Sequence, residues 1–348
     1  MEEERNSTAA ERFYAFLNQC IPWLIGIFLF FNPFPHTTAV KEISFYLCLL
    51  FFLVLLLAGK RAFLFRTPLS VPFALFVIWS CLGLFFALNR PNAFHDIYAH
   101  LLKYLFVFYL IINFFYSKKY LHILLWTFII STVVFIVVLL THDYVILHRS
   151  INEKLGFNFP ESSPNIIGVY TLFGLLLSFA FLARVDSMYG KIVLVASICL
   201  STFTSFATQA RSSILAMCFA VIVIFPKRKR ILTAFLVFAG ILLVGFMSPM
   251  KDRLNPTTIL EKLRSDDRVN IWRCYSEIVK DHPVFGVGFG MQTCYDENLL
   301  KKYNARVPEK YRMTHLYNAP HNILVDTATR TGLVGLALFL YVLFSFVK

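Results

Sequence analysis

Residues 121–140 read LHILLWTFIISTVVFIVVLL, twenty positions whose one ionisable group is His122. A helix rises 1.5 Å per residue, so a stretch of about 20 residues spans roughly 30 Å, the hydrocarbon thickness of a bilayer. A surface helix of that length needs a charged stripe along its wet face. Thr127, Ser131 and Thr132 do not supply one, so the segment reads as a membrane span.

Similar apolar runs lie on both sides of it, at about 14–33, 41–58, 69–88, 98–115, 166–183, 191–207, 213–225, 231–248 and 332–347. With the run at 121–141 they make ten. Asn32-Pro33-Phe34-Pro35 ends the first, Gly59-Lys60-Arg61 the second and Pro226 the eighth. Of the 348 residues, 58% are hydrophobic and 15% charged, with 39 Phe. A soluble globule holds about 45–50% and about 25%. This composition excludes a cytosolic enzyme, a disordered regulator and a disulfide-stapled secreted domain. The expected fold is all-α, a polytopic membrane helix bundle: spans one to nine in 1–248, a large polar loop in 249–331, and span ten in 332–348.

The formal charge of +13 bears first on orientation. Alternate crossings place Lys60, Arg61, Lys118, Lys119, Arg184, Lys191 and the run Lys227–Arg230 on one side, against Lys41, Arg90 and Arg211 on the other. Positive charge concentrates on the cytoplasmic face. The amino terminus is therefore expected inside and 249–331 outside, in the periplasm of a bacterium. The acidic start Met1–Arg5, with no small-residue cleavage site after the first apolar run, reads as lacking a cleavable signal peptide. The Lys227–Arg230 run is an orientation signal or an anionic-lipid contact, not a nucleic-acid site.

The outer segment carries 13 Lys or Arg against 10 Asp or Glu, a balance that suits an anionic partner. Within it Ser265–Asp281 reads as an amphipathic helix, with Ser265 as cap, Val269, Trp272, Ser276 and Val279 on one face with Ile278 nearby, and Pro283 beyond its end. Of seven cysteines, Cys20, Cys48, Cys81, Cys199 and Cys218 sit in apolar runs, while Cys274 and Cys294 lie in the polar segment and are free to pair or not. None has metal-binding spacing, and no D-x-D or clustered carboxylate signals Mg²⁺, so neither a metal nor another cofactor is expected. Gly286-x-Gly288-x-Gly290 departs from the dinucleotide fingerprint and lacks its strand-turn-helix setting.

Three residues stand out. Arg211, in a short outer turn, is either a snorkelling anchor or a guanidinium fork for phosphate. Arg268 opposes the dipole of the helix it opens, which suits an anion there, unless Asp266 and Asp267 neutralise it. His321 follows Asn318-Ala319-Pro320, a helix-start pattern that puts it in a first turn, as a capping residue or as a general base.

These residues together resemble the O-antigen ligase/polymerase family of bacterial membrane glycosyltransferases, from about span six to the end. His321-Asn322, nine residues, then Gly332-Leu333-Val334-Gly335 is similar to the H-[NSQ]-x9-G-x-x-G pattern of ligases. Arg268-Val-Asn-Ile-Trp272 with Pro283-Val-Phe-Gly286-Val-Gly288 resembles R-x3-W…P-x-x-G-x-G. Thr208-Gln-Ala-Arg211 is like T-x-S-R, with Ala210 where Ser is usual.

The resemblance implies a GT-C-like bundle of about twelve spans, two more than counted here. It also implies glycan transfer from undecaprenyl pyrophosphate to a lipid A-core hydroxyl at the inner membrane, inverting and metal-independent. His321 would be the base, Arg211 and Arg268 the pyrophosphate ligands, and Trp272 and Asn322 substrate-binding residues. The alternatives are an O-antigen or exopolysaccharide polymerase, a protein O-oligosaccharyltransferase and, from another class, a lipid-linked glycan transporter. A transporter would want charged or helix-breaking residues near span midpoints, which spans two, five and nine scarcely offer.

Overall fold

The computed structural model describes residues 8–151, 153–157, 159–160, 163–182, 184–208, 216 and 267–347. Every regular element among them is helical. Seven helices are long and apolar enough to cross a bilayer: α1 Ala9–Phe31, α2 Thr38–Leu57, α4 Arg90–Phe114, α5 Lys118–Ile146, α6 Pro164–Leu182, α7 Met188–Ala207 and α10 Ile323–Val347. A shorter apolar helix, α3, covers Ser70–Phe86 and ends in a 3₁₀ turn. The polar segment adds α8 Asp267–Asp281 and α9 Glu297–Arg306. The protein is thus a multi-pass, all-helical membrane protein. Eight of the ten expected spans have their helix, and spans eight and nine lie, residue 216 apart, outside the described residues.

Two helix starts differ most from the hydropathy reading. The fourth span begins at Arg90 rather than 98, because the Asn89 side chain accepts from the Asn92 amide and caps a polar first turn. The last begins at Ile323 rather than 332, capped by Asn322. Hydropathy marks where a helix becomes greasy, whereas capping marks where it starts.

The described residues fall into two compact units. One comprises 8–62 and 114–208. Here α1 packs on α2 and α5, and α6 on α7. The α6–α7 seam is made of small polar residues: Ser178 donates to Ser197 at 2.9 Å, and the Thr171 and Ser205 hydroxyls lie 3.0 Å apart, all at most 1% exposed. Ser197, Ser201 and Ser205 recur every fourth residue, the spacing that lets helices approach closely in lipid.

At the far end of α5, a π turn over Thr141–Ile146 carries the fully buried Asp143. Its carboxylate accepts from the Gly156 amide at 2.7 Å, lies 2.8 Å from His142 Nδ1, and faces Arg149 at 3.7 Å. The loop so fixed bonds back to the end of α7, Leu155 N donating to the Ala207 carbonyl at 3.0 Å.

The second unit comprises 63–113 and 267–347, so α3 and α4 share it with the polar segment and α10. The polar segment has its own core of Ile271, Cys274, Tyr275, Ile278, Val287, Cys294, Leu300, Tyr303, Val307 and Met313. The buried face of α8 is therefore Ile271–Cys274–Tyr275–Ile278. The face expected from sequence, with Val269, Trp272, Ser276 and Val279, lines an open groove instead. Ile271, Cys274, Tyr275 and Ile278 also follow the i, i+3, i+4, i+7 spacing, so two faces of this helix compete on periodicity alone. Cys274 and Cys294 are both buried free thiols rather than a disulfide. Burial pushes the Cys274 thiol up to about 11 and the Cys294 thiol up to about 12.

Candidate functional site

The last helix is interrupted. Gly332 takes φ 73° and ψ 180° inside α10, a conformation essentially restricted to glycine. Such a break orphans carbonyls above it and amides below it, and the segment 283–288 satisfies them. Val287 N donates to the Thr329 carbonyl at 2.9 Å, Gly288 N to that of Arg330 at 3.1 Å, and Leu333 N to the Pro283 carbonyl at 2.8 Å. The indole of Trp79, on α3, takes the Thr331 carbonyl at 2.9 Å.

Close approach requires the glycines. A Cβ on Gly286 would sit 2.5 Å from the Thr329 carbonyl oxygen, and one on Gly332 1.9 Å from that of Val284. Between them Phe285 is stacked on Trp79 at 4.6 Å and on Phe86 at 4.2 Å. The Pro-x-x-Gly-x-Gly and Gly-x-x-Gly sequences are thus two halves of one backbone joint.

That joint supports the upper half of α10, at whose head lies His321. It precedes the helix instead of sitting in its first turn as expected, because Asn322 is the cap: its side-chain oxygen accepts from Leu324 N at 2.9 Å and Val325 N at 3.3 Å. His321 is exposed, at φ 50°, a left-handed conformation that His adopts more readily than bulkier residues. Helix α8 holds the approach to it. The Trp272 indole donates to the Pro320 carbonyl at 2.9 Å, and the Tyr275 hydroxyl to that of Tyr317 at 3.0 Å. Trp272 therefore has its one donor on the backbone next to His321, where it acts on that residue's position.

His321 opens on a cavity of about 280 Å³ lined also by Met291, Cys294, Tyr295, Asp326 and Arg330. Arg330 reaches Asp326 at 3.4 Å, its guanidinium bonds the Phe289 carbonyl, and it lies over the Phe289 ring at 4.6 Å. Asp326 and Arg330 escaped the sequence reading. Their signal was an i, i+4 acid–base pair one turn beyond His321-Asn322.

Between α8 and α10 runs a separate apolar groove of about 480 Å³, with Val269, Trp272, Val279, Leu324, Val325 and Leu336 in its walls and Arg273 and Lys280 also lining it. Arg268 is exposed in the first turn of α8, one turn before Trp272. His321, Asn322 and Trp272 are thus brought together through Pro320, and Arg268 shares the helix of Trp272. Arg211 lies outside the described residues.

Trp272→Phe removes the Pro320 hydrogen bond and keeps an aromatic ring in place. It should lower unfolding stability by about 1 kcal/mol and speed amide exchange at Asn322–Val325, as read by hydrogen–deuterium exchange. Unchanged exchange there would show that the indole does not hold the His321 segment.

No curated protein and no solved structure matches the chain. A family model described as O-antigen ligase matches residues 195–340, the stretch that runs from within α7 through the polar segment, the joint at Gly332 and most of α10. Most of the last helix, its joint and the cavity at His321 thus lie within a stretch of the chain that is similar to the O-antigen ligase family model.

Proposed function

We propose that the protein transfers a glycan from undecaprenyl pyrophosphate to a hydroxyl of the lipid A-core at the periplasmic face of a bacterial inner membrane. The observation that carries this reading is His321, exposed at the mouth of a 280 Å³ cavity inside the stretch that matches the O-antigen ligase family. The acceptor oxygen attacks the anomeric carbon as the bond to the pyrophosphate oxygen breaks, inverting that centre. The acceptor's proton passes to the His321 imidazole, and the bonding electrons leave on pyrophosphate. Arg211 and Arg268 hold that leaving group, their planar forks matching its oxygens two at a time. The apolar groove beside α8 suits the isoprenoid tail. The concentration of Lys and Arg on one set of span ends supports a cytoplasmic amino terminus.

A lipopolysaccharide gel from a deletion strain tests the assignment. Loss of every glycan ladder, with lipid-linked polymer accumulating, is the result expected of a ligase. Core bearing one repeat unit would make the protein a polymerase instead. Complementation with Arg211→Lys or Arg268→Lys should restore little ladder, each costing on the order of 10²–10³ in rate, because an ammonium lacks the two-pronged contact. Full ladders from both variants would remove the guanidiniums from the site.

A further inference from the structure

Helix α4 contains a second chemistry-bearing cluster. After its first turns the helix widens into a π segment, Ile97–Leu102. Such widened turns are uncommon and recur at functional positions. An α-helix would bring only Asp96 and His100, four apart, onto one face. The wider turn also brings His95 round, and its ring centroid lies 6.2 Å from that of His100. Both imidazoles address the same carboxylate oxygen: His95 Nδ1 is 2.9 Å and His100 Nε2 3.7 Å from Asp96 Oδ1. The three ligand atoms all lie within 4.8 Å of one another.

We propose that His95, Asp96 and His100 bind a divalent transition-metal ion of the zinc class, with water completing the coordination. Zinc bonds to nitrogen and oxygen of roughly 2.0–2.1 Å in a tetrahedral arrangement separate neighbouring ligand atoms by about 3.3 Å, and the two contacts to Asp96 Oδ1 bracket that value. Two imidazoles and one carboxylate favour such an ion over Ca²⁺ or Mg²⁺, which prefer all-oxygen shells.

The carboxylate is oriented from behind. Asp96 has a 5% exposed side chain, and its other oxygen accepts from the Met291 amide at 2.6 Å, an outer contact of the kind that aims a metal ligand. The imidazoles are 55% and 48% exposed, which leaves an entry path. Arg330, the nearby cation, is turned onto the Phe289 carbonyl and Asp326.

A metal ion needs the unprotonated form of each ligand nitrogen and of the carboxylate, so affinity falls as pH falls. Because Met291 also lines the His321 cavity, an ion here would stiffen one wall of it. The site does not depend on the transfer reaction proposed above.

The test uses the full chain in nanodiscs without a polyhistidine tag. Titration with Co²⁺ alone should give one equivalent with the intense visible bands of a four-coordinate site, and Zn²⁺ should bleach them. His100→Ala, an exposed change, should weaken zinc binding by more than the roughly 10–100-fold that losing an outer contact costs, and His95→Ala/His100→Ala should abolish the bands. His142→Ala, in the other His-Asp pair, should leave them intact. Zinc should slow amide exchange over Met291–Tyr295 in the wild type and not in His100→Ala. A spectrum of octahedral aqueous Co²⁺, or bands that survive the double substitution, would overturn the proposal.

Discussion

His321→Ala in correctly inserted protein should abolish glycan transfer, and His321→Asn should do the same. Losing a positioned general base costs roughly 10²–10⁴ in rate, enough to empty a ladder on a gel. The pair of variants separates chemistry from folding. His321 sits at φ 50° just before the Asn322 cap, and asparagine tolerates that backbone conformation well while offering no base of suitable strength. Unfolding of the Asn variant should therefore match the wild type. Near-normal transfer by the Ala variant, measured with lipid-linked donor and core acceptor, would end the assignment of His321 as base while leaving the similarity of residues 195–340 to the family model untouched.

The second large effect is expected at a residue with no chemistry of its own. Gly332→Ala demands φ 73° and ψ 180° of a residue with a Cβ, a backbone strain of about 1–3 kcal/mol. The new Cβ would stand 1.9 Å from the Val284 carbonyl oxygen. That atom belongs to the backbone and cannot rotate away, so the joint must open and endanger the bonds that Thr329, Arg330 and Leu333 make with segment 283–288. We expect a loss of several kcal/mol in unfolding stability, together with loss of transfer. Gly59→Ala is the control. It also takes a positive φ, 61°, but its Cβ would meet nothing within 4 Å, so its effect should be smaller. Unfolding of Gly332→Ala within about 1 kcal/mol of wild type would show that the break is not a constraint.

Hydropathy located the middles of helices better than their ends. The run 121–141 lies within α5 (Lys118–Ile146), because twenty apolar residues in a row have few alternatives to a buried or lipid-facing helix. The starts at Arg90 and Ile323 depend on single Asn caps, whose contribution is local and invisible to a window average. Within the polar segment, Trp272 and His321 were legible as motif members, but their connection through Pro320 was not: it joins residues 48 positions apart, a separation that only the folded chain closes.

Asp326, Arg330 and Asp96 were missed for a related reason. Each is a charged residue near the polar end of an apolar helix, where orientation signals and site residues look alike. The gap between Gly288 and Gly332 is the clearest example. Read along the chain, they belong to two short patterns. In space, the two segments exchange amides and carbonyls across one joint.

The hydroxyl seam between α6 and α7 also bears on how the chain enters the bilayer. Ser178 and Ser197, like Thr171 and Ser205, answer each other's polarity, while Ser178 and Thr171 also reach the Gly174 and Gly168 carbonyls of their own helix, so α6 carries acceptors for its hydroxyls before its partner arrives. The brief connection between Leu182 and Met188 keeps the partner close during synthesis. A slip of one residue along their length would uncouple both pairs at once, so the seam doubles as a register mark during biogenesis.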